Sequence, residues 1–287
     1  MAIEYLVDGA TSFTTTSWVT ASGSAGSGFT NTAELIVPGG GASITAALDQ
    51  SAATSTGIRY LIISESYSGN VGDASTPLIT EATDGTAAEW RSDNTEGRIE
   101  HNGTGTLFIK GDTNGLDNVM QNGAGRTLLT DGTATYVRVQ RGTFQNTGAS
   151  TVTNCTVMGG TANIVAKSVS NTAGTLLNIY GGAATIARPF TTINVYGGVL
   201  TINVTQAAAA SATINQFGGT VVLLAHGNNG ITTYNHNGGL FDPARLRVDT
   251  TIATYIRQFG AQFTARPNGA PLTITNTYRK DPNVGPI

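Results

Sequence analysis

Three stretches decide the fold. They are Leu177-Asn178-Ile179-Tyr180-Gly181-Gly182-Ala183-Ala184-Thr185-Ile186, Ile193-Asn194-Val195-Tyr196-Gly197-Gly198-Val199-Leu200-Thr201-Ile202 and Ile214-Asn215-Gln216-Phe217-Gly218-Gly219-Thr220-Val221-Val222-Leu223. Each has an apolar residue four before the first glycine, an aromatic immediately before it, and apolar residues three and five after it. Alternation with a period of two is the pattern of a half-buried strand. A Gly pair between two such strands suits a tight bend or bulge in which a Cβ would clash.

The unit repeats outward from there. Met158-Gly159-Gly160, Asn237-Gly238-Gly239 and Phe259-Gly260-Ala261 are variants, and Gly142 is a candidate for an earlier, weaker member. The first glycines stand at 159, 181, 197, 218, 238 and 260, so the spacings are 22, 16, 21, 20 and 22. A unit near twenty residues, with short strands and bends, has the length of one coil of a parallel β-helix. No coil buries its own apolar face, so coils stack into a continuous core, at ~4.8 Å per coil. The sequence therefore predicts an all-β chain: a right-handed parallel β-helix (β-solenoid) with irregular coils of about 20 residues and an extended C-terminal arm.

In such a stack, Asn178, Asn194, Asn215 and Asn235 form an Asn ladder, and Tyr180, Tyr196 and Phe217 form an aromatic stack. Two readings follow for the aromatics. Flat faces could pack on sugar rings as a carbohydrate-binding strip. Alternatively, the rings stack on each other and stabilise the rod or a subunit interface, and the sequence favours this second reading.

Composition agrees with an all-β chain. The 287 residues include 37 Gly and 46 Thr, and only 11% are charged. Thr and Gly are poor helix formers. Net charge −3 with 39% hydrophobic residues argues against disorder. The single cysteine, Cys155, excludes an intrachain disulfide framework and a Cys-rich zinc module, and reads as a small interior hydrophobe. Neither a secretory signal nor a transmembrane run is visible, so a chain made in the cytoplasm and soluble is expected.

Charge is uneven. Residues 1–126 carry 14 acids and 5 bases, and residues 127–287 carry 4 acids and 10 bases. Eight acids fall between Glu81 and Asp117. Such polarity can orient docking, although a solvated acidic loop is the simpler reading. The basic half has no Lys/Arg stripe of the kind a nucleic-acid binder needs. Residues 1–100 read as an acidic, β-rich capping or docking region, 101–266 as the β-helix, and 267–287 as an extended arm holding Pro267, Pro271, Pro282 and Pro286. The apolar run Tyr60-Leu61-Ile62-Ile63 reads as a buried strand, and Ser43 to Ala53 as the one plausible helical turn or two.

Catalytic chemistry is thinly supplied. Glycoside hydrolysis usually needs two facing carboxylates, and lyase chemistry needs a base and often a carboxylate-held calcium. Residues 127–287 contain no Glu and only Asp131, Asp242, Asp249 and Asp281. Asp112-Thr113-Asn114-Gly115-Leu116-Asp117 faintly resembles a calcium loop but lacks the distal Glu, so it reads as a turn. His101, His226 and His236 are not spaced as a metal motif. Pro38-Gly39-Gly40-Gly41 lacks the Lys-Ser/Thr of a phosphate loop. Thr-x-Thr pairs do not recur at the coil period, as an ice-binding face would require.

The run Leu48-Asp49-Gln50-Ser51-Ala52, then Arg59-Tyr60-Leu61-Ile62-Ile63, then Tyr67-Ser68-Gly69-Asn70-Val71-Gly72, resembles structural proteins of tailed bacteriophages. In those, a Leu-Asp-Gln-Ser-Ala run precedes an apolar strand and an aromatic-x-Gly-x-Ile/Val-Gly run. The Gly/Thr/Asn-rich irregular coils, the single cysteine and the Pro-rich end are similar as well. The resemblance implies a non-enzymatic virion protein, of the capsid decoration or cement type, that bridges capsid subunits. It implies the major capsid protein as partner, a homotrimer, no cofactor, and neither nucleic acid nor membrane. A tail fibre, tailspike or adhesin binding host-surface glycans is the alternative, with a depolymerase behind it. Candidate interface residues are Glu89, Asp93, Glu96, Tyr180, Tyr196, Phe217, Pro271, Arg279, Pro282 and Pro286.

Overall fold

A computed structural model describes residues 2–29, 33–51, 58–82, 97–165, 173–205, 211–226, 230–247, 249–258, 260–264 and 272–280. The chain forms a parallel β-solenoid and divides into two compact units, Met1–Val152 and Thr153–Ile287. Among the described residues the only helical turn is the 3-10 turn Thr15–Ser17.

The first unit contains β1 (Ala2–Leu6), β2 (Trp18–Thr20), β3 (Ala33–Val37), β4 (Tyr60–Ile63), β5 (Leu78–Ala82), β6 (Arg98–His101), β7 (Thr106–Gln121), β8 (Arg126–Val139) and β9 (Thr143–Asn146). Parallel rungs run β1–β3–β4–β6 and continue through the C-terminal parts of β7 and β8. The other column runs from β5 through the N-terminal parts of β7 and β8 to β9. Parallel stacking is therefore already present within residues 1–100, the stretch read from the sequence as a capping or docking region.

The outer edge of β1 is covered by β2, which pairs antiparallel with Leu6 opposite Trp18. Phe13, Trp18 and Phe29 cluster there with ring centroids 5.2–5.8 Å apart, all buried. The buried Glu4 carboxylate accepts hydrogen bonds from Ser27 N (2.8 Å), Ser27 Oγ (2.7 Å) and Gly28 N (2.7 Å). Burial alone would raise its pKa, but these donors outweigh burial and hold the carboxyl below the ordinary glutamate value. Covering β1 in this way suits the end of a stack, where a bare edge strand invites further pairing.

The helical turn expected over Ser43 to Ala53 is not formed in its described part, residues 43–51. Ile44 and Leu48 are buried, Ile44 bridges Val71, and Asp49 bridges Ile79. Short extended contacts between coils replace local helical bonds because the apolar side chains reach the core only in that form. The segment Tyr67 to Gly72 is part of the same layer. Tyr67 is buried and donates to Ala42 O at 2.6 Å, and Val71 bridges both Ile44 and Leu107.

β10 (Ser150–Val157) spans the division. The second unit continues with β11 (Thr161–Ile164), β12 (Gly174–Ile179), β13 (Ala183–Ile186), β14 (Phe190–Val195), β15 (Val199–Val204), β16 (Ser211–Gln216), β17 (Thr220–His226), β18 (Ile231–His236), β19 (Leu240–Asp242), β20 (Thr250–Gln258), β21 (Gln262–Phe263) and β22 (Leu272–Lys280). The even-numbered strands from β10 to β22 form one parallel column. The odd-numbered strands from β11 to β21 form the other. Each coil contributes one strand to each column, as the repeat predicts.

The core is a set of vertical ladders. Cys155, Leu177, Ile193, Ile214 and Tyr234 stack in register, and so do Ala162, Ala184, Leu200, Val221 and Phe241, with none of them more than 1% exposed. Burying each Leu or Ile contributes about 1.5–3 kcal/mol, repeated on every rung. In the C-terminal segment, Leu272–Lys280 contains no proline and lies as β22 on β20, mostly exposed. Pro267, Pro271, Pro282 and Pro286 lie outside the described residues.

Candidate functional site

The second unit presents its most distinctive surface at the corner that ends each even-numbered strand. Inward and outward positions alternate there. In β12, Leu177 and Ile179 are buried, Asn178 is half-buried, and Tyr180 follows on the outside. β14 and β16 repeat this arrangement with Asn194 and Tyr196, and with Asn215 and Phe217.

Parallel register places like on like. Asn178, Asn194, Asn215 and Asn235 are mutual neighbours in the column. Asn194 Nδ2 donates to Asn178 Oδ1 at 2.9 Å, Asn215 to Asn194 at 2.8 Å, and Asn235 to Asn215 at 2.8 Å. Every amide points the same way, so the bonds align head to tail and polarise one another. Beside them, the Tyr180 and Tyr196 rings are 4.7 Å apart at 5°, and Tyr196 and Phe217 are 5.1 Å apart at 7°. Tyr180, Tyr196 and Phe217 are 48%, 44% and 49% exposed. Met158 is exposed as well, in the register position before Tyr180.

The Gly pair makes this stacking possible. A methyl on Gly181 would fall 2.7 Å from Met158 O, and one on Gly197 would fall 2.6 Å from Tyr180 O. The second glycines, Gly182 and Gly198, have φ of +68° and +69°, a region L side chains rarely enter. Corner backbones therefore approach one another as closely as the ladder requires.

The rings stack on one another, as the second reading of the aromatic strip expects. Parallel rings at this spacing cover each other's faces along the stack, so both faces of Tyr196 are occupied, one by Tyr180 and one by Phe217. What remains outward is a strip of ring edges and the Met158 side chain. A sugar ring packs on a face, whereas a strip of apolar edges suits lateral contact with another protein surface.

Among the other predicted site residues, Glu89, Asp93, Glu96, Pro271, Pro282 and Pro286 lie outside the described residues. Arg279 is exposed on β22 opposite Arg257, and its register differs from that of the aromatic strip. Asp242 accepts from Ala244 N (2.9 Å) and Thr264 Oγ1 (2.7 Å), a role that holds a turn. The stretch Asp112 to Asp117 lies within β7 and is not a free turn. Gly115 has φ +79°, and the register shifts between Lys110 and Leu116. Among the described residues, no three His, Cys, Asp or Glu side chains converge as metal ligands would.

One set of residues was not anticipated. At the buried position just inside the corner, where other coils carry Ile or Val, Gln216 donates to Gly219 O at 3.2 Å and His236 Nε2 donates to Gly239 O at 3.1 Å. Arg257 Nε donates to Ala261 O at 3.0 Å, and in the first unit Gln121 Nε2 donates to Gly123 O at 2.8 Å. These side chains satisfy carbonyls that the bend turns inward. The signal was present in the sequence as a polar residue at an otherwise apolar repeat position. Burial holds His236 and His101 below the ordinary histidine pKa, so both favour the neutral ring.

Fold and corner define a parallel β-solenoid whose regular unit carries a self-stacked aromatic strip beside an amide ladder. No family model, curated protein or solved structure matches the chain.

Proposed function

We propose that this chain is a structural, non-enzymatic virion protein of a tailed phage, made in the host cytoplasm. Its role is capsid decoration or cement, as a homotrimer that bridges subunits of the major capsid protein. The context comes from the sequence resemblance. The observation that carries the structural role is the strip Met158, Tyr180, Tyr196 and Phe217, apolar and between 42% and 49% exposed, with both faces of the central Tyr196 ring covered by its neighbours. A contiguous exposed apolar strip on a rigid scaffold supports a protein contact. Many such contacts over a symmetric shell add through multivalency without any single strong site.

The test is copy number. Particles carrying the protein are purified, and the protein is quantified against the major shell protein by mass spectrometry. Abundance close to that of the shell protein supports decoration. A few copies per particle would replace this reading with a tail component. Absence from particles would remove both.

A further inference from the structure

The corner of the first unit differs in chemistry from that of the second. Ser64, Asn102 and Asn122 each follow the last residue of a rung: Ile63 of β4, His101 of β6 and Gln121 of β7. Backbone bonds place them on successive coils, with Asn102 N donating to Ile63 O and Asn122 N donating to His101 O, both at 2.9 Å. Here the outward position is polar instead of aromatic. Asn122 Nδ2 donates to Asn102 Oδ1 at 3.0 Å, a single step of amide ladder.

These residues line a recess of about 430 Å³ together with Ile62, Glu65 and Arg141. The size is in the range of small-molecule sites. Its lining is mixed in a specific way. Glu65 supplies a carboxylate that accepts, Arg141 supplies a guanidinium that donates, Ser64 and the two amides can do either, and Ile62 supplies an apolar wall. The ladder also ends unsatisfied, because Asn122 Oδ1 is shielded from solvent and accepts no hydrogen bond.

We propose that this recess is a binding subsite for a neutral saccharide unit. One carboxylate and one guanidinium leave the recess without net charge, so an ion of either sign loses at one group what it gains at the other. A neutral sugar meets no such loss. Its vicinal hydroxyls donate to the carboxylate, its oxygens accept from the guanidinium and the amide, and its C–H face lies against Ile62. The subsite does not depend on the decoration role, and it is separate from the aromatic strip.

Saturation-transfer NMR on the full chain tests it with D-glucose, D-galactose, N-acetylglucosamine and maltotriose as probes, and with glucuronate as the anionic comparison. The expected result is saturable binding of at least one neutral probe in about the millimolar range, as suits a small ligand in an open site. Glu65→Gln and Arg141→Met, both at exposed positions, each weaken it about tenfold. Tyr196→Ser, on the strip, leaves it unchanged, and glucuronate binds no tighter than glucose. No transfer to any neutral probe would overturn the proposal. So would binding that survives both recess variants, binding abolished by Tyr196→Ser, or glucuronate binding tenfold tighter than glucose. An unchanged urea midpoint in the Glu65→Gln and Arg141→Met variants ties the loss to the recess and not to unfolding.

Discussion

The rings of Tyr180 and Tyr196 lie 4.7 Å apart and 5° from parallel, held there by strands whose backbones are paired rung on rung. Side-chain stacking and main-chain stacking share one spacing. The rings can match it only because the residues following them have no Cβ, so the corner glycines and the aromatic strip are one structural device.

The corner glycines should therefore be intolerant of a methyl, with a graded cost. Alanine at Gly197 places its Cβ 2.6 Å from Tyr180 O, and alanine at Gly198 adds a φ of +69° to a clash with Gly182 O at 2.5 Å. We expect Gly197→Ala to destabilise by about 1–3 kcal/mol through overpacking, and Gly198→Ala by more. Gly23, with φ +80° and nothing within 4 Å, is the control. Gly23→Ala should cost about 1–2 kcal/mol from backbone strain alone. Urea midpoints order the three, and a Gly198→Ala cost no greater than that of Gly23→Ala would sink the close-stacking argument.

The amide ladder makes a positional prediction. Asn194 both donates to Asn178 and accepts from Asn215, whereas Asn235 only donates to Asn215. Asn194→Ala strands an acceptor and a donor, and Asn235→Ala strands one acceptor. Each half-buried orphan costs about 1 kcal/mol, because water reaches it in part. Asn194→Ala should thus be the more costly by about that amount in chemical denaturation. Equal costs would mean that the ladder bonds carry no net stability.

Cys155 should be chemically silent in the folded chain. It is 1% exposed, and burial pushes its thiol up to about 12. A thiol reagent acts on the thiolate and needs access to it. At pH 8 we expect modification of the native protein to be slower than that of the urea-unfolded chain by on the order of 100-fold or more. Comparable rates, followed by absorbance, would show that the β10 ladder opens readily.

The second unit was legible because its period is written in residues that the fold needs, namely Gly pairs, inward apolar positions and outward Asn and aromatic positions. Cys155 and the Asn ladder fell into place from register alone. The first unit was harder to read, since its coils are long and irregular and its contacts are isolated bridges such as Ile44 to Val71. Ser43 to Ala53 looked locally helical because a short Ala-rich run has helix propensity, and propensity gives way to burial of Ile44 and Leu48. β22 was obscured by the prolines flanking it, which say nothing about the nine residues between. The polar corner residues were hidden by averaging, because Gln216 and His236 break an apolar pattern that their neighbours keep.

His236 carries the last prediction, a pH dependence. Its Nε2–H donates to Gly239 O at 3.1 Å, which leaves Nδ1 to accept from the Tyr255 hydroxyl at 2.7 Å. Protonation would put a second N–H where that acceptor is needed, in a buried site. Burial, and to a lesser degree the Arg257 charge, hold the ring below its ordinary pKa, against the opposing Gly239 bond. The unfolded chain, with a histidine pKa near ~6.5, therefore binds the proton first. The stability linked to this neutral ring is present above about pH 6.5 and is lost as pH falls through the lower folded value. Gln216, one coil earlier and in register, satisfies its bend with an amide that does not titrate in this range. Glutamine at 236 can donate to the same carbonyl and accept from the same hydroxyl. His236→Gln should hold stability at pH 7 within about 1 kcal/mol and lose less between pH 7 and pH 5 than the parent chain. His101 in the first unit, also lowered by burial, leaves a residual slope in both. Urea titrations at pH 7, 6 and 5 measure the difference, and parallel pH slopes for variant and parent would show that His236 does not set the acid sensitivity.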